Sequence, residues 1–453
     1  MSSATLAVIL DGVPIGEIQR RGGERLEFRY DDNYRTSFGA LPLSLCMPVS
    51  RRAHPDRWIS PWLWGLLPDS EDVRKAWCKG TTASYNSAFE MLSTPIGYDC
   101  AGAVQFCKPD NVNWLAERGG DLEPLSEHGV AGRLRALVGD ETAWLDRSRH
   151  LQFSLAGGQR KTALHLADGT WSVPKGATPT THILKPTIHG LRHSDINEHL
   201  CLTAARLLGL AAAQTTLGIF EDQTAVVVTR FDRPRISGEF YRAHQEDLCQ
   251  ALAINPGHKY ENQGGPSALT SIDVLRQHTG EYAHNDITRF VDTLALNWLL
   301  GGTDGHGKNY SLLIDEHNVR LSPLYDVNSV LPYVVGSEHT QALAMSVGRH
   351  YELGKITAHD WAAVARLARL DVDTTIERIL SIAARLPTAL DTAAADPAVR
   401  AVDPTFADQM VEGVSRWVEQ CVPNIEWTNP GDLPPERHSS TPAAPRRRDD
   451  LSP

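Results

Sequence analysis

Residues 301–314, GGTDGHGKNYSLLI, place an Asp, a His, a Lys and an Asn close together in a glycine-rich loop. A polar surface turn, a metal site and a catalytic loop would each use these residue types. Asp and Asn in such a loop most often serve turn formation alone. His306 beside a single Asp supplies too few ligands for a closed zinc site. The chemistry of the loop therefore depends on the segments around it.

Those segments predict a helix, a hairpin and a second acidic residue. Residues 288–300 repeat apolar side chains at near-helical spacing, and Gly301-Gly302 ends that helix. After the loop, YSLLI and VRLSPLYDV are predicted to be two strands joined by a turn, which deliver Asp326. An Asp, an Asn five residues later and a second Asp beyond a hairpin follow the order found in protein kinases.

This order gives each of the three polar residues a predicted role. In kinases the first Asp orients the acceptor hydroxyl and takes its proton, while the Asn and the second Asp hold magnesium. The corresponding residues here are Asp304, Asn309 and Asp326. Mg²⁺ prefers oxygen ligands and usually takes only one or two of them from protein carboxylates. The sequence therefore predicts Mg²⁺-assisted phosphoryl transfer.

A phosphotransferase also binds a nucleotide, and 154-SLAGGQRK-161 is a candidate loop for that task. Small residues between two predicted strands let backbone N–H groups approach phosphates. The loop is not a Walker A motif, because the required spacing is absent and a strand follows it instead of a helix. Most glycine-rich hairpins are only turns, so this alternative stays open.

Two charged residues downstream have both a structural and a functional interpretation. Lys185 lies in the predicted strand THILK, where it either contacts phosphates or extends its ammonium group from a strand edge into solvent. Glu198 either forms a capping box with Asp195 or pairs with Lys185. Arg230 and Phe231 follow the strand AVVVT, where a linker between two lobes would meet adenine. In this order the segments outline a two-lobed kinase.

The composition limits the class of protein. A chain of 453 residues is long enough for about two or three domains. The formal net charge of −11 argues against nucleic-acid binding by the whole surface. The 7 cysteines form no CxxC pair and no zinc-finger spacing, which is typical of reduced thiols in a cytosol. No signal peptide and no membrane span is predicted. We expect a soluble, cytoplasmic protein.

The organisation along the chain predicts two domains and a tail. Residues 1–148 begin with strands and a DG turn, continue with short helices around 60–78, and are expected to be polar and helical from about 120. Residues 149–425 are predicted to form a second domain, with one lobe over about 149–230 and another over about 231–425. The remainder, 426–453, is rich in Pro, Ser and Arg and is predicted to be disordered.

Within the second domain the sequence predicts strands first and helices later. A helix from about Asn197 to Leu208 is expected to end at Gly209. Beyond Thr270 the chain is expected to be mostly helical. The predicted strands of the first lobe span residues 150–155, 161–167, 181–185 and 224–231.

Several segments together closely resemble the HipA family of bacterial toxin kinases. The segments that carry the resemblance are SLAGGQRKTALHL, HILKP, NEHLCLTAARLLGL, VVVTRFDRP, HQEDLCQALAINPGHKYENQGGPS, GGTDGHGKNYSLLI and LSPLYDV. Upstream, LPLSLCMP, LWGLLPDS and PIGYDCAGAVQF are similar to the N-terminal domain of that family. The resemblance covers about residues 5–390 in collinear order.

The resemblance implies an α+β, two-lobed protein-kinase-like fold related to the phosphoinositide kinases. A small β-containing N-terminal domain would precede it, and the second lobe would be mostly helical. It implies a serine/threonine kinase that uses ATP and Mg²⁺ and acts as the toxin of a toxin–antitoxin pair. The implied partners are a HipB-like helix-turn-helix antitoxin, operator DNA bound through that antitoxin, and a protein substrate such as glutamyl-tRNA synthetase. No membrane partner is implied.

The family motifs also imply site residues. Asp304 is the catalytic Asp, Asn309 and Asp326 are the magnesium ligands, and Lys185 contacts phosphates. Ser154 matches the serine whose autophosphorylation inactivates kinases of the family, and an ordinary strand-end hydroxyl is the alternative. The implied ATP-binding set further comprises Ala156, Gly157, Gly158, Gln159, Arg160, Lys161, Thr229, Arg230, Phe231, His306, Lys308 and Tyr325, together with Asn309 and Asp326.

The sequence departs from the family pattern at one position, and two alternative functions stay open. The loop of the family commonly reads AGAQEK, whereas this chain has AGGQRK, so Arg160 replaces an acidic residue. The chain could instead be a corepressor subunit with little catalysis, whose task is to bind an antitoxin and DNA. It could also phosphorylate a small molecule or a lipid, although its negative charge disfavours an anionic membrane.

Overall fold

The computed structural model describes residues 5–117, 119–140, 142–143 and 153–425. The predicted tail at 426–453 and the first half of the predicted strand at 150–155 lie outside these residues. Residues 153–155 form no regular strand, and Ser154 makes only a single bridge to Cys100.

The N-terminal region is built on an antiparallel sheet of 5 strands in the order β4-β3-β2-β1-β5. Its first hairpin turns at Asp11-Gly12, where both residues have positive φ, as expected for a DG turn. Trp62, Phe28 and Phe106 are fully buried in its core. Its strands are β1 (Thr5–Leu10), β2 (Val13–Arg20), β3 (Leu26–Tyr30), β4 (Ala53–Pro55) and β5 (Val104–Cys107). Its helices are α1 (Asp32–Thr36), α2 (Asp56–Gly65), α3 (Glu71–Cys78), α4 (Ala88–Leu92) and α5 (Val112–Ala116).

A second sheet of 6 strands follows, in the order β10-β11-β9-β7-β8-β6. Its members are β6 (Gly120–Leu125), β7 (Thr162–Ala167), β8 (Thr170–Gly176), β9 (His182–Pro186), β10 (Thr215–Phe220) and β11 (Gln223–Thr229). Helices α6 (Glu127–Gly139) and α7 (Ser194–Leu207) accompany this sheet. The predictions of strands at 161–167, 181–185 and 224–231 are confirmed within one or two residues.

One helical prediction is wrong in this region. Residues 120–125 form the edge strand β6, which pairs with β8, and only the following α6 is helical. The strand looks polar in the sequence because most of it is exposed, and an edge strand needs little apolar surface. The sheet therefore begins in the chain before residue 148, where the sequence placed a boundary.

The remainder of the chain is mostly helical, as expected. Helix α10 ends at Gly301 in the left-handed conformation, with φ of 64°, which is the predicted helix stop. Helix α7 begins at Ser194 and so starts before the predicted Asn197. The helices are α8 (Leu248–Ala251), α9 (Ala268–His278), α10 (Ala283–Leu300), α11 (Ala358–Ala368), α12 (Val372–Ala394), α13 (Pro397–Val402) and α14 (Pro404–Ile425).

The predicted hairpin after the loop at 301–310 is present, and a third strand pairs with it. Strands β15 and β16 pair with each other, and β14 pairs with β15 from the other side. This small sheet lies between the loop that carries Asp304 and Asn309 and the segment that carries Asp326. The short strands are β12 (Arg235–Ile236), β13 (Glu239–Phe240), β14 (His244–Asp247), β15 (Ser311–Ile314), β16 (Val319–Leu321), β17 (Ala342–Val347) and β18 (His350–Glu352).

Two expectations about the whole chain can be compared with the structure. All 7 cysteines lie within the described ranges, and each is a free thiol. Among the described helices, none combines the length and the apolar character needed to cross a membrane.

Candidate active site

A cleft of about 700 Å³ opens between the six-stranded sheet and the helical region. Its lining includes most of the predicted site residues, although they are spread over a long stretch of sequence. The predicted residues that line the cleft are Ala156, Gly157, Gly158, Gln159, Lys161, Lys185, Thr229, Arg230, Phe231, Asp304, His306, Lys308, Asn309, Tyr325 and Asp326.

Lys185 joins both sides of the cleft. It lies on β9, and its Nζ donates to Glu198 Oε1 of α7 at 2.8 Å and to Asp326 Oδ1 at 2.8 Å. The side chain of Glu198 is fully buried. Of the two interpretations of Glu198, the structure therefore favours the ion pair over the capping box. Lys185 is not a strand-edge lysine that extends into solvent, because its side chain is also buried.

The electrostatics of this cluster keep Asp326 ionised. Burial acts to raise the pKa of Asp326, but Lys185 and Lys161 outweigh it and hold that pKa below its usual value. Burial likewise acts to lower the pKa of Lys185, and the carboxylates of Asp326 and Glu198 reverse this and raise it. A charged, buried lysine thus sits between two acidic side chains at the edge of the cleft.

Asp326 and Asn309 supply the kind of oxygen ligands that Mg²⁺ uses. Asp326 has a φ of 57°, a value that non-glycine residues rarely adopt and that is often found at functional sites. The amide nitrogen of Asn309 donates to the carbonyl oxygen of Asp304 at 2.8 Å, which leaves the amide oxygen as an acceptor. Within the described residues no cluster of three or more His, Cys, Asp or Glu side chains could hold a metal ion. One carboxylate and one amide suit a Mg²⁺ ion that takes its other ligands from phosphates and water.

The loop that follows α10 presents Asp304 at the mouth of the cleft. The side chain of Asp304 is 61% exposed, and its Oδ1 accepts a hydrogen bond from the hydroxyl of Tyr260 at 2.7 Å. His306 lies behind it, with Nε2 at 3.9 Å from the same oxygen. Burial lowers the pKa of His306, which favours a neutral ring. The loop thus holds a carboxylate in place while leaving it open to an incoming group.

The glycine-rich loop at 156–161 lines the cleft and contributes a second lysine, Lys161, beside Lys185. Lys161 Nζ donates to the carbonyl oxygen of Ala156 at 2.6 Å. Gly157 has a φ of 102°, and a side chain there would lie 2.8 Å from Lys161 Nζ. Burial, reinforced by the nearby charge of Lys185, lowers the pKa of Lys161 to about 8. Two lysine side chains therefore converge beside a glycine-lined backbone, which is a suitable arrangement for phosphate groups.

Two predicted residues of this segment lie outside the cleft. Arg160 is buried and donates to the carbonyl oxygens of Leu137 and Val138 at 3.2 and 2.9 Å, at the end of α6. Its guanidinium therefore stabilises a helix C-terminus, and the structure does not bring it together with the predicted ATP-binding residues that line the cleft. Ser154 is also buried, and its hydroxyl donates to the carbonyl oxygen of Leu66 at 2.8 Å.

The linker between the two lobes contributes backbone and one aromatic ring. Phe231 lies 5.6 Å from the ring of Tyr325, measured between ring centroids. Arg230 reaches the cleft only in part, because its guanidinium binds Asp232 at 2.8 and 2.9 Å and the Thr180 hydroxyl at 2.8 Å. The sequence placed backbone groups of this segment at the adenine, so the direction of the Arg230 side chain leaves that prediction standing. Its backbone borders the cleft and its charge belongs to a buried network.

Three polar residues near the site, Asp69, Lys259 and Tyr260, were not predicted as site residues from the sequence. Lys308 Nζ contacts Asp69 Oδ1 at 2.5 Å, and Lys259 Nζ contacts Asp69 Oδ2 at 2.9 Å. Tyr260 holds Asp304 as described above. In the sequence, Asp69 stands at the end of a short apolar segment. Lys259 and Tyr260 belong to a segment that resembles the family, and no role was predicted for them. Nothing in their spacing connects them to Asp304.

Comparisons with known proteins identify relatives of this chain. The family model described as "HipA-like C-terminal domain" matches residues 153–391, and "HipA N-terminal domain" matches residues 6–107. A Sinorhizobium fredii protein, Y4mE, whose name assigns it provisionally to the kinases, is 32% identical over 386 residues, covering 84% of this chain and 90% of its own.

A named toxin and a solved structure extend the comparison. The serine/threonine-protein kinase toxin HipA of Shewanella oneidensis is 29% identical over 406 residues, covering 85% of this chain and 88% of its own. A solved complex of HipA, HipB and operator DNA from the same organism contains a chain that matches with a TM-score of 0.77 and 23% identity. This match covers 93% of the present chain and 98% of the other.

These matches confirm the predicted fold, a two-lobed kinase-like α+β architecture with an N-terminal β domain and a helical C-terminal part. The matching models cover both the N-terminal region and the region that contains the cleft. The chain belongs to the HipA family of serine/threonine-protein kinase toxins.

Proposed function

We propose that this protein is a Mg²⁺- and ATP-dependent kinase that transfers a phosphoryl group to a serine or threonine of a protein substrate. The observation that carries the proposal is the double ion pair of Lys185 with Glu198 and Asp326, each at 2.8 Å, with Asp304 across the same cleft. A lysine paired with a helix carboxylate and adjoining a metal-binding Asp is the arrangement that active protein kinases require.

Asp304 is proposed to act on the acceptor hydroxyl. Its carboxylate is exposed and lines the cleft, and the Tyr260 hydroxyl donates to Oδ1, so Oδ2 is the oxygen proposed to accept a proton. Accepting a proton at that oxygen as the hydroxyl attacks would contribute a factor of about 10²–10⁴ in rate. No other carboxylate that lines the cleft combines this exposure with a position on the loop between α10 and β15.

Lysines and backbone amides are proposed to bind and orient the nucleotide. Lys161 and Lys185 converge below the glycine-rich loop, and Phe231 and Tyr325 offer aromatic surface beside the linker. When bound, ATP supplies the phosphoryl group, and Mg²⁺ held by Asn309 and Asp326 neutralises negative charge on its phosphates. The residues of this chain position the phosphates and exclude water from them.

The biological role is proposed from the relatives. We expect a HipB-like helix-turn-helix antitoxin as the partner, with operator DNA bound through that complex, since one solved neighbour is a HipA, HipB and operator DNA complex. As the toxin, the kinase is proposed to phosphorylate a translation factor, with glutamyl-tRNA synthetase as the first candidate, and so to arrest growth. Ser154 is proposed as its autophosphorylation site.

A labelling experiment tests the proposal. The purified chain is incubated with γ-labelled ATP and glutamyl-tRNA synthetase, with Mg²⁺ or with excess chelator. Label on the synthetase or on the chain itself that requires Mg²⁺ is the expected result. It should be absent from Asp304→Asn and Asp326→Asn, with unchanged folding. Equal labelling by either variant would exclude this mechanism.

A second candidate function is a corepressor subunit with little catalysis. It is favoured by the operator DNA in the neighbouring solved complex. Measuring operator affinity of the antitoxin with and without this chain, wild type or Asp304→Asn, separates the two functions. A corepressor would strengthen DNA binding in both forms, while the labelling experiment would show no transfer.

A further inference from the structure

A segment of the N-terminal region lies outside the cleft and contacts residues that line it. Residues 66–69, between α2 and α3, touch both sides of the cleft without lining it themselves. We name this segment the N-terminal clasp. The carbonyl oxygen of Leu66 accepts a hydrogen bond from the Ser154 hydroxyl at 2.8 Å, and the backbone N–H of Asp69 donates to the carbonyl oxygen of Gly157 at 3.2 Å. The clasp thus holds the glycine-rich loop by its backbone.

The side chain of Asp69 binds the other side of the cleft. Its two oxygens contact two different lysines, Lys308 at 2.5 Å and Lys259 at 2.9 Å. Both lysines line the cleft, whereas Asp69 does not. Lys308 is 3% exposed at its side chain and directly precedes the proposed metal ligand Asn309. The carboxylate therefore lies outside the cleft and pairs with two lysine side chains that line it.

The charge state of Asp69 supports this arrangement. Burial acts to raise the pKa of Asp69, but Lys308 and Lys259 lower it to about 2. The group is a carboxylate throughout the neutral range. It offsets one of the two positive charges and so reduces the repulsion between the two ammonium groups, and it limits the rotamers of Lys308.

We infer that Asp69 is a positioning residue for phosphoryl transfer, which acts by holding the Lys308 ammonium toward the transferred phosphate. This inference rests on the proposed kinase function. The N-terminal region is then part of the catalytic unit and not an appendage that only recognises partners.

A purely structural role for Asp69 is less consistent with the contacts. Other groups already attach the N-terminal region to the rest of the chain: Glu246 accepts from the Leu45 N–H at 2.8 Å and from Trp62 Nε1 at 3.0 Å. Glu246 itself lines the cleft, but its donors Leu45 and Trp62 do not, and both donors are uncharged. Asp69 is the residue of this interface that binds two cleft lysines with its side chain and the glycine-rich loop with its backbone.

The test uses the full chain with γ-labelled ATP and measures kcat and the KM for ATP separately. Asp69→Asn keeps the size of the side chain and removes its charge. We expect kcat to fall about 10- to 100-fold, the cost of misplacing one group at a reaction centre, with the thermal midpoint lowered only slightly. Asp69→Glu keeps the charge and should recover part of kcat. Asp72→Asn is the matched control, because Asp72 lies on the adjacent helix with its side chain 80% exposed, and it should match wild type.

A double-mutant cycle separates positioning from folding. In a Lys308→Met background, Asp69→Asn should cause little further loss of kcat, because Asp69 acts through Lys308. Wild-type kcat in Asp69→Asn, or losses that multiply in the double variant, would overturn the inference. If Asp69→Asn melts below the assay temperature, Asp69→Glu decides: reduced kcat at unchanged thermal midpoint supports the inference, and full kcat overturns it. An inactive wild-type chain would instead refute the proposed kinase function.

Discussion

Two ionic networks meet near the linker at residues 229–233, and they differ in how open they are to solvent. In the first, Asp99 and Asp232 pair with Arg230, Arg233 and Arg242, and each of these side chains is at most 3% exposed. We call this the linker network.

The second network lies in the cleft and is only partly closed. Lys185 and Glu198 are buried, but Asp326 is 28% exposed and Asp304 is 61% exposed. Both networks use the same residue types, and both shift pKa values strongly. The difference is that every charge of the linker network faces other protein groups, whereas the cleft carboxylates keep an open side. Arg230 and Asp232 also border the cleft, so the two networks are separated by the solvent exposure of their carboxylates and not by their distance from the cavity.

The largest expected effect concerns the open carboxylate. Asp304→Asn should reduce phosphotransfer by about 10²–10⁴-fold, because the amide cannot take the proton of the acceptor. The free energy of unfolding should be unchanged, since Asp304 is mostly exposed. Labelled phosphate transfer and urea unfolding of the same preparation measure both quantities. A variant that transfers phosphate at the wild-type rate would remove Asp304 from the mechanism.

The linker network should show the opposite behaviour. Asp232→Asn removes a buried carboxylate and leaves Arg230 and Arg233 without part of their counter-charge. We expect a loss of about 3–5 kcal/mol in the free energy of unfolding, with kcat per folded molecule close to wild type. Urea unfolding and labelling at low temperature measure these. A large fall in kcat at full stability would show that the two networks are one functional unit.

The acid stability of the chain should report the linker network. Burial acts to raise the pKa of Asp99, but Arg233, Arg242 and Arg230 lower it to about 2 from the ordinary 3.8. A lowered pKa contributes stability that is fully present above pH 3.8 and lost as the pH falls through about 2. This amounts to about 2 kcal/mol. Urea unfolding between pH 5 and 2 should show the loss in wild type.

The control for that titration is Asp99→Asn, whose amide does not titrate in this range. It should be less stable than wild type at pH 5, and its unfolding free energy should fall less steeply below pH 4. Parallel curves for the two proteins would assign the acid sensitivity to other carboxylates.

The smallest effect is expected at Arg160. Arg160→Ala removes hydrogen bonds to two carbonyl oxygens at the end of α6 and should cost about 1 kcal/mol of stability. The KM for ATP should be unchanged, because the guanidinium points away from the cleft. A large rise in KM would instead place this side chain at the nucleotide and restore the interpretation made from the sequence.

The sequence predicted those cleft residues that lie close together both in the chain and in the structure. Asp304, Asn309 and Asp326 lie on one loop and one hairpin, so their order and turn residues were enough to bring them together. Lys185 was found because a lysine inside an apolar strand is unusual. Glu198 stayed ambiguous, since the same spacing suits a capping box, and only the packing of α7 against β9 distinguishes the two.

The remainder depended on contacts between distant parts of the chain. Asp69 and Lys308 are 239 residues apart in sequence, and no local pattern connects them. For Arg230 the sequence predicted backbone contact with the nucleotide, and the direction of its side chain, which Asp232 and Thr180 set, could not be predicted from local sequence. Strand β6 was missed because an exposed edge strand lacks the apolar alternation by which strands are recognised.

The enclosure of Ser154 has a consequence for timing. Its hydroxyl has no contact with solvent and is held by Leu66 of the N-terminal clasp. Phosphorylation of this hydroxyl would require the loop to detach from the clasp, and the added charge would oppose its return. If Ser154 is the autophosphorylation site, as proposed, the modified fraction would grow with each opening, at a rate limited by how often the contact between the clasp and the loop breaks.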